Sequence, residues 1–215
     1  MSARPARLGV VTGTGTEVGK TWFAAATLAA LRHDGVTVAA RKPVQSFEPG
    51  QGPTDADVLA QATAESASEI CPAHRSLSAA MAPPMAAELL GRPAFAIADL
   101  VAELSWPRSV EVGLVEGVGG PRSPLASDGD TVGLVAALRP DLVVVVAPAG
   151  LGAINAVLLS VAPFAEQRVV VALNRFDDAD DLHRRNRAWL VERSELDVVT
   201  DAAALAARLS GRLAG

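Results

Sequence analysis

Cysteine is almost absent from this chain, since Cys71 is the one cysteine among its 215 residues. A single thiol cannot form a disulfide within the chain, and no cysteine and histidine cluster has the spacing of a zinc site. Free cysteine usually packs as a small hydrophobic side chain, so we expect Cys71 to lie in the core. The low cysteine content predicts a cytoplasmic protein without a structural metal.

Basic residues are also few relative to acidic ones. The sequence has 19 Lys and Arg against 24 Asp and Glu, which gives a formal net charge of −5. Non-specific binding to nucleic acid depends on a positively charged surface that neutralises phosphates. The charge balance therefore argues against DNA or RNA as a partner.

Long hydrophobic runs are missing as well. The longest apolar runs, Leu142 to Pro148 and Val169 to Leu173, are far shorter than the roughly 18 residues that a membrane-spanning helix requires. Segment 1–7 contains two arginines, but the apolar stretch after it is interrupted from Thr12 onward, unlike the core of a signal peptide. We expect neither a membrane span nor export.

The chain does contain short, mostly apolar segments that alternate with longer segments of helical period. This alternation is typical of a parallel sheet with crossover helices. Strands are predicted at Leu8–Thr12, Thr37–Ala40, Glu111–Glu116, Leu142–Ala147 and Val169–Leu173. Helices are predicted at Lys20–His33, from Asp55 to about Ser66, at Pro84–Leu90, at Thr131–Leu138, from Ala153 to about Phe164, and over two C-terminal segments. We therefore expect residues 1–215 to form a single α/β domain with a doubly wound, mostly parallel sheet flanked by helices.

A glycine-rich segment lies between the first predicted strand and the first predicted helix, and reads Gly13-Thr14-Gly15-Thr16-Glu17-Val18-Gly19-Lys20-Thr21. Such a loop can turn backbone N–H groups around phosphate oxygens, while the helix N-terminus adds partial positive charge. Lys20 would reach the outer phosphates, and the Thr21 hydroxyl would ligate Mg²⁺. The strict spacing requires glycine where Thr14 stands, but the segment still predicts a fold of the P-loop NTPase type.

Charged residues near the ends of other predicted strands complete the candidate site. Lys42 follows the second strand, Asp55 stands at a predicted helix start, and Glu116 ends the third strand before a run of glycines. Thr21, Asp55 and Glu116 form a set of oxygen ligands suited to Mg²⁺. Alternatively, Asp55 could serve as an ordinary N-cap and Lys42 could lie on the surface.

The same glycines also match a loose dinucleotide-binding fingerprint, Gly-x-Gly-x-x-x-Gly. In that interpretation Arg41 and Lys42 would receive a 2′-phosphate. However, Lys20 and Thr21 follow the last glycine, and a triphosphate site needs these two residues whereas a dinucleotide fold does not.

Five motifs stand in a characteristic order and spacing: Val11–Thr21, Lys42–Val44, Met81–Pro84, Val115–Gly120 and Leu151–Asn155. Together they closely resemble the dethiobiotin synthetase family, over about residues 8 to 176. The resemblance implies an ATP- and Mg²⁺-dependent ligase that forms the ureido ring of dethiobiotin. Its substrates would be 7,8-diaminopelargonate and CO₂, and it would act as a homodimer.

The resemblance also implies roles for individual residues. Lys20 and Lys42 would be the catalytic residues, steadying the carbamate and the transferring phosphoryl group. Mg²⁺ would be held by Thr21, Asp55 and Glu116. The implied nucleotide site comprises Gly15, Thr16, Glu17, Val18, Gly19, Lys20, Thr21, Glu116, Gly119 and Asn174. The implied substrate site comprises Thr16, Lys42, Ser46, Gly152 and Asn155, with Glu17 beside the diamine. The loop Gly150–Asn155 would reach the neighbouring subunit and bind the substrate carboxylate through backbone N–H groups.

Some positions depart from the family's pattern. Gly15 stands where many members have Asp, and Ala156 replaces a common His. Asp55 and Asp57 both match the acidic metal position, and we prefer Asp55 because its neighbours match better. The Gly-x-Ile-Pro element that helps to enclose the base has no counterpart in segment 195–200, which leaves the base preference open.

Two other functional classes remain as alternatives. One is a partner-regulated or cobyrinate-ligase-like ATPase of the same superfamily, and the other is a binding protein that has lost catalysis. Cobyrinate-type ligases usually append a glutaminase domain, for which this chain has no room. Partition-type ATPases usually carry an additional lysine where Thr14 stands. A protein without catalysis would need none of four residues that this chain has, namely Lys20, Thr21, Lys42 and Glu116.

Overall fold

A computed structural model describes residues 4–211 of the chain. The strands along this part are β1 Arg7–Gly13, β2 Val38–Arg41, β3 Gln45–Ser46, β4 Ser76–Leu77, β5 Val112–Glu116, β6 Pro124–Ala126, β7 Gly129–Asp130, β8 Leu142–Pro148, β9 Val169–Asn174 and β10 Asp197–Val199. The α-helices are α1 Lys20–His33, α2 Asp55–Thr63, α3 Ala67–Ile70, α4 Pro83–Leu89, α5 Ile97–Glu103, α6 Thr131–Leu138, α7 Ala153–Val161, α8 Asp181–Glu192 and α9 Ala202–Ser210. Short 3₁₀ turns occur at Ala73–Arg75 and Ala162–Phe164.

The apolar runs of the sequence form one six-stranded sheet in the order β10-β9-β8-β1-β5-β2, in which every neighbouring pair is parallel. β1 lies between β5 and β8, so the strand order reverses around it. Doubly wound folds bind ligands at the carboxyl edge beside such a reversal. The predicted α/β class is confirmed, and the central sheet is wholly rather than mostly parallel.

The central strands are buried on both faces, because helices cover both sides of the sheet. Val144 and Val146 point into a core cluster with side chains of α1, α2 and α9. Val143 and Val145 point to the opposite face, where side chains of α4, α5 and α6 pack. Continuous valine runs are therefore possible in β8, whereas a half-exposed strand would alternate with polar residues.

The sequence locates the regular core elements well and the short ones poorly. All five predicted strands agree with the structure to within one residue at each end, and α1 and α6 have the predicted bounds. Elements that the sequence did not reveal are α3, α5, the edge strand β10 and the strand pairs β3–β4 and β6–β7. Their length of two to seven residues leaves little periodicity to detect.

Three predicted helices have boundaries that differ from those in the structure. The helix from Asp55 ends at Thr63 rather than near Ser66, because Ala64 adopts a left-handed conformation with φ 60°. The predicted helix Pro84–Leu90 is α4, which begins and ends one residue earlier. The helix from Ala153 is α-helical only to Val161 and continues as a 3₁₀ turn that contains a proline.

The lone cysteine is buried at the end of α3, as expected. Burial raises the pKa of the Cys71 thiol to about 12, so this thiol stays protonated at neutral pH. Within residues 4–211, no helix is both long enough and apolar enough to cross a membrane.

Candidate active site

The glycine-rich loop joins β1 to α1 at the carboxyl edge of the sheet. Gly19 caps α1 in a left-handed conformation with φ 92°, and Glu17 also has a positive φ of 61°. The Thr14 N–H donates to the Val146 carbonyl at 2.9 Å, which fixes the loop to β8. The first N–H groups of α1 have no acceptor within the helix. This loop is therefore a backbone cradle for an anion.

The side chains of the loop point in different directions. Thr16 and Glu17 are exposed, whereas Val18 is buried beneath the loop. Lys20 is also largely buried, and its ammonium donates to the Gly15 carbonyl at 2.9 Å. Burial and the nearby charge of Lys42 lower the pKa of Lys20. The two catalytic candidates therefore lie close enough to interact.

Lys42 is the centre of a buried ionic cluster. Its ammonium lies 2.7 Å from Asp55 Oδ2 and 2.6 Å from Glu116 Oε1. It also donates to the Gly117 carbonyl at 2.9 Å. The Thr21 hydroxyl lies 2.8 Å from Asp55 Oδ1 and 2.8 Å from Glu116 Oε1. Lys42 follows β2, Asp55 begins α2, Glu116 ends β5 and Thr21 lies in α1, so the structure brings all these predicted residues together.

The pKa shifts in this cluster follow from burial and from the charges of its members. Burial lowers the pKa of Lys42, but the charges of Glu116 and Asp55 outweigh burial and raise it above its usual value. Burial raises the pKa of Asp55, but Lys42 outweighs burial and the pKa falls. Burial is decisive for Glu116, whose pKa rises. The ammonium of Lys42 thus holds its proton more tightly than a free lysine does.

The cluster also fits a divalent cation that prefers oxygen. Glu116 Oε2 is buried and has no hydrogen-bond partner among the described residues, so one carboxylate oxygen is left to accept a ligand. Asp55 and the Thr21 hydroxyl lie at the same point. Within residues 4–211, no group of three or more His, Cys, Asp and Glu side chains could hold a metal. An ion would therefore complete its shell with water or phosphate oxygens, as Mg²⁺ commonly does.

Asp55 and Asp57 have different environments. Asp55 is the first residue of α2 and points to Lys42 and Thr21, so it is not the N-cap. Thr54 is the N-cap, and the exposed Asp57 completes a capping box by accepting from the Thr54 N–H at 2.8 Å. The geometry supports the choice of Asp55 over Asp57 as the metal candidate. Capping by Asp55, the alternative that the sequence left open, is wrong.

Gln45 was missed by the sequence reasoning, although it shapes the site. Its Oε1 accepts from the Ala56 N–H at 3.0 Å, and its Nε2 donates to Ser76 Oγ at 2.8 Å. Gln45 thereby fixes the first turn of α2 next to Asp55. In the sequence, only its position between Lys42 and the predicted substrate residue Ser46 pointed to Gln45. The Ser46 hydroxyl itself donates to the Met81 carbonyl at 2.6 Å.

The glycines after β5 pack against the phosphate loop. A Cβ on Gly120 would lie 3.5 Å from the Gly13 carbonyl oxygen, and one on Gly119 would lie 3.7 Å from Thr16 Oγ1. Ser123 closes this turn by accepting from the Gly120 N–H at 2.9 Å. Gly119, a predicted nucleotide residue, therefore lies beside Thr16.

Asn174 lies at the end of β9 and contacts the phosphate loop from below. Its Nδ2 donates to the Val18 carbonyl at 3.0 Å, and the side chain is buried. A Cβ on Gly19 would lie only 2.0 Å from that Nδ2. Glycine is thus required there both by its φ and by the close approach of Asn174.

Gly152 and Asn155 lie in another part of the same edge. Gly152 is the N-cap of α7 with φ 86°, and Asn155 is an exposed residue of its first turn. Within the described chain, neither residue is hydrogen-bonded to the Lys42 cluster. Leu151, next to Gly152, is 94% exposed at the tip of the loop.

Arg41 is not available for the 2′-phosphate of a dinucleotide. Its guanidinium forms an ion pair with Glu65 at 2.7 Å, and both side chains are nearly buried. The same guanidinium lies over the Trp106 ring, 5.0 Å from its centroid. Arg41 therefore has a structural role, which counts against the dinucleotide alternative.

Solved structures with a similar fold support the chain's architecture. The signal recognition particle receptor FtsY from Elizabethkingia anophelis aligns with a TM-score of 0.54 at 13% identity, covering 91% of this chain and 58% of the receptor. Chloroplast FtsY from Physcomitrella patens aligns with a TM-score of 0.50 at 15% identity, covering 94% of this chain and 62% of that chain. These likenesses concern the fold alone.

The parallel sheet, the backbone cradle before α1, and Lys20 with Thr21 define a P-loop NTPase. A family model described as an AAA domain matches residues 9–203. The ATP-dependent dethiobiotin synthetase BioD of Anaeromyxobacter sp. (strain Fw109-5) is 40% identical over 179 residues, covering 80% of this chain and 78% of that protein. BioD of Rhodococcus jostii (strain RHA1) is 39% identical over 150 residues, covering 68% of this chain and 62% of that protein. The chain belongs to the dethiobiotin synthetase family.

Replacing Gly19 by alanine should abolish most nucleotide binding. The left-handed backbone alone disfavours alanine by about 1–2 kcal/mol, and the new methyl group must displace Asn174. We expect Gly19→Ala to bind a non-hydrolysable ATP analogue at least about tenfold more weakly, since about 1.4 kcal/mol corresponds to a factor of ten. Isothermal titration calorimetry measures this change.

The matched control for this prediction is Gly35→Ala. Gly35 also has a positive φ, of 78°, but a Cβ there meets nothing within 4 Å, and the position follows the far end of α1. Gly35→Ala should lose stability but keep its affinity for the nucleotide. Equal affinities for Gly19→Ala and the unmodified protein would contradict the interpretation of the loop.

Proposed function

We propose that this protein forms the ureido ring of dethiobiotin from 7,8-diaminopelargonate, CO₂ and ATP, releasing ADP and phosphate. Membership in the dethiobiotin synthetase family supports an ATP-dependent ligase of biotin biosynthesis. The observation that carries the proposal is the ionic cluster of Lys42, Asp55 and Glu116 at the mouth of the phosphate loop. Such a cluster serves phosphoryl transfer, in which the protein supplies positioning and charge neutralisation.

In the proposed reaction, one substrate amine first takes up CO₂ as a carbamate. A carbamate oxygen then attacks the γ-phosphate, ADP leaves, and the second amine attacks the resulting carbamic–phosphoric anhydride and expels phosphate. Lys20 and Lys42 would hold the negative charge of the carbamate and of the phosphoryl oxygens. To do so, Lys20 exchanges its bond to the Gly15 carbonyl for a phosphate oxygen, and Lys42 gives up part of its contact with Asp55.

Thr21, Asp55 and Glu116 are the residues that we propose to hold Mg²⁺. The bound ion would neutralise charge on the phosphate oxygens during transfer. The unpartnered Glu116 Oε2 supports this assignment. The predicted contact of Asn174 with the nucleotide base, the roles of Thr16, Glu17 and Ser46 towards the substrate, and a cytoplasmic location belong to the same proposal.

We propose further that the enzyme acts as a homodimer whose α7 loop completes the partner's active site. Gly152 and Asn155 lie at the N-terminus of α7, where free N–H groups suit a carboxylate. Leu151, Leu158 and Leu159 are exposed on this loop and helix, and an interface with a second copy would cover them.

The test of the reaction is phosphate release by the purified protein with ATP, Mg²⁺ and bicarbonate. We expect release to depend on added 7,8-diaminopelargonate and to match the formation of dethiobiotin, measured by mass spectrometry. Phosphate release that is indifferent to the diamine, with no dethiobiotin, would instead favour a partner-regulated ATPase. Running the same assay with GTP and CTP measures the base preference.

Lys42→Ala should lower turnover by a factor of about 10² or more, because a lost charged contact in the transition state costs roughly 3–4 kcal/mol. The variant also leaves Asp55 and Glu116 without their cation, so its melting temperature and its affinity for an ATP analogue are measured alongside. A folded, nucleotide-binding variant with nearly normal turnover would remove Lys42 from the mechanism.

Mixing two inactive variants should restore activity if the active site is shared. Lys20→Ala damages the phosphate loop and Asn155→Ala damages the α7 loop, so a heterodimer of the two carries one intact site. We expect dethiobiotin formation to reappear after subunit exchange, which is verified by mass spectrometry of differently tagged subunits. Heterodimers without activity would contradict the shared site.

A further inference from the structure

A buried side chain that has no role in the proposed reaction holds the loop between β8 and α7. Asn186, in the middle of α8, is 6% exposed. Its single amide nitrogen donates to two successive carbonyls, of Ala149 at 2.9 Å and of Gly150 at 2.8 Å. Both hydrogens of this amide are therefore committed to the loop.

This double contact fixes the direction of the loop's own donors. In a trans peptide the carbonyl and the following N–H point to opposite sides, and every described peptide bond is trans. Because the carbonyls of Ala149 and Gly150 face α8, the N–H groups of Gly150 and Leu151 face away from it. Two successive N–H groups on one side, followed by a helix N-terminus, form an anion-binding concavity.

Other contacts tie the same unit together. The Gly150 carbonyl also accepts from the Ala153 N–H at 3.2 Å, so Asn186 binds a carbonyl of the turn that leads into α7. The Ala149 N–H donates to the Asn174 carbonyl at 3.1 Å, which joins the loop to the end of β9. Asn186 lies beside a core cluster that includes Ala149, Val157 and Leu190. An apolar side chain would serve packing there, whereas a carboxamide is required to orient carbonyls.

We propose that Asn186 is a positioning residue for the substrate carboxylate. It holds the loop 149–152 so that the N–H groups of Gly150 and Leu151, and those of the first turn of α7 after Ala153, face the anion. This inference rests on the proposed function, in which that loop binds the carboxylate of 7,8-diaminopelargonate in the partner's site. Asn186 itself touches no substrate, and acts through the backbone of Ala149 and Gly150.

The test is steady-state kinetics of three variants, in which the KM values for 7,8-diaminopelargonate and for ATP are measured separately. We expect Asn186→Ala to raise the KM for the diamine about tenfold, because the N–H groups of the loop are no longer held towards the substrate carboxylate, while the KM for ATP stays the same. Asn186→Asp places an acceptor against two carbonyl oxygens and should raise the diamine KM further. Asn186→Gln keeps the donor and should recover part of the loss.

The control variant is Thr63→Ala, which removes another buried hydrogen bond from a side chain to a main-chain carbonyl. The Thr63 hydroxyl donates to the Leu59 carbonyl at 3.0 Å at the end of α2. This variant should lower the melting temperature without changing either KM. A purely structural role for Asn186 would give the same result, or would raise both KM values together, and either outcome would overturn the proposal.

Failure of the proposed function gives a different result from failure of this inference. If the unmodified protein forms no dethiobiotin, the reaction and the role of Asn186 both fall. If it forms dethiobiotin and Asn186→Ala has an unchanged KM for the diamine, only the proposed role of Asn186 is refuted.

Discussion

The contact on which the rest of the site depends is the Lys42 ammonium held between Asp55 and Glu116. Lys42 and Glu116 are each about 1% exposed, and a charge buried in this way without a partner costs about 3–5 kcal/mol. The fold can tolerate each of these groups only if the ends of β2 and β5 lie close to the start of α2. Thr21 joins α1 to the same point through both carboxylates. The groups whose charges hold the site together are thus the same groups that we propose for phosphoryl transfer.

The arginines and the lysines of this chain differ in the contacts that they make. Lys20 and Lys42 are the two lysines of the sequence, and every other residue among the 19 basic ones is arginine. Arginine makes the ion pairs that hold the fold, as in Arg41 with Glu65 and Arg75 with Glu103. Its planar guanidinium suits fixed, forked contacts, whereas an ammonium is a compact charge that can turn from one oxygen to another. In the proposed mechanism Lys42 exchanges part of its carboxylate contact for phosphate oxygens, and a lysine suits this exchange better than an arginine does.

The sequence predicted those parts of the fold and site that have a local signal. Valine runs identify β8 and β9 because strands buried on both faces need no polar residues. The proximity of Thr21 and Glu116 could be predicted from the sequence, since the carboxyl ends of parallel strands share one edge. Gln45 and Asn186 could not, because a buried carboxamide looks in the sequence like any surface Asn or Gln, and its partners lie up to 37 residues away. The edge strand β10 and helix α5 were missed because they are too short to show a period.

The two loops proposed to bind anions are both held by neutral amides from one part of the fold. Asn174, at the end of β9, donates to the Val18 carbonyl of the phosphate loop, and Asn186 of α8 donates to the carbonyls of Ala149 and Gly150. A lysine or arginine in either place could bind those carbonyls equally well, but its charge would compete with the backbone for the anion. An aspartate or glutamate would repel the anion and could not donate. A carboxamide orients the carbonyls from behind and leaves the N–H groups in front as the donors, so the unit formed by β9 and α8 can fix both loops without adding charge to the site.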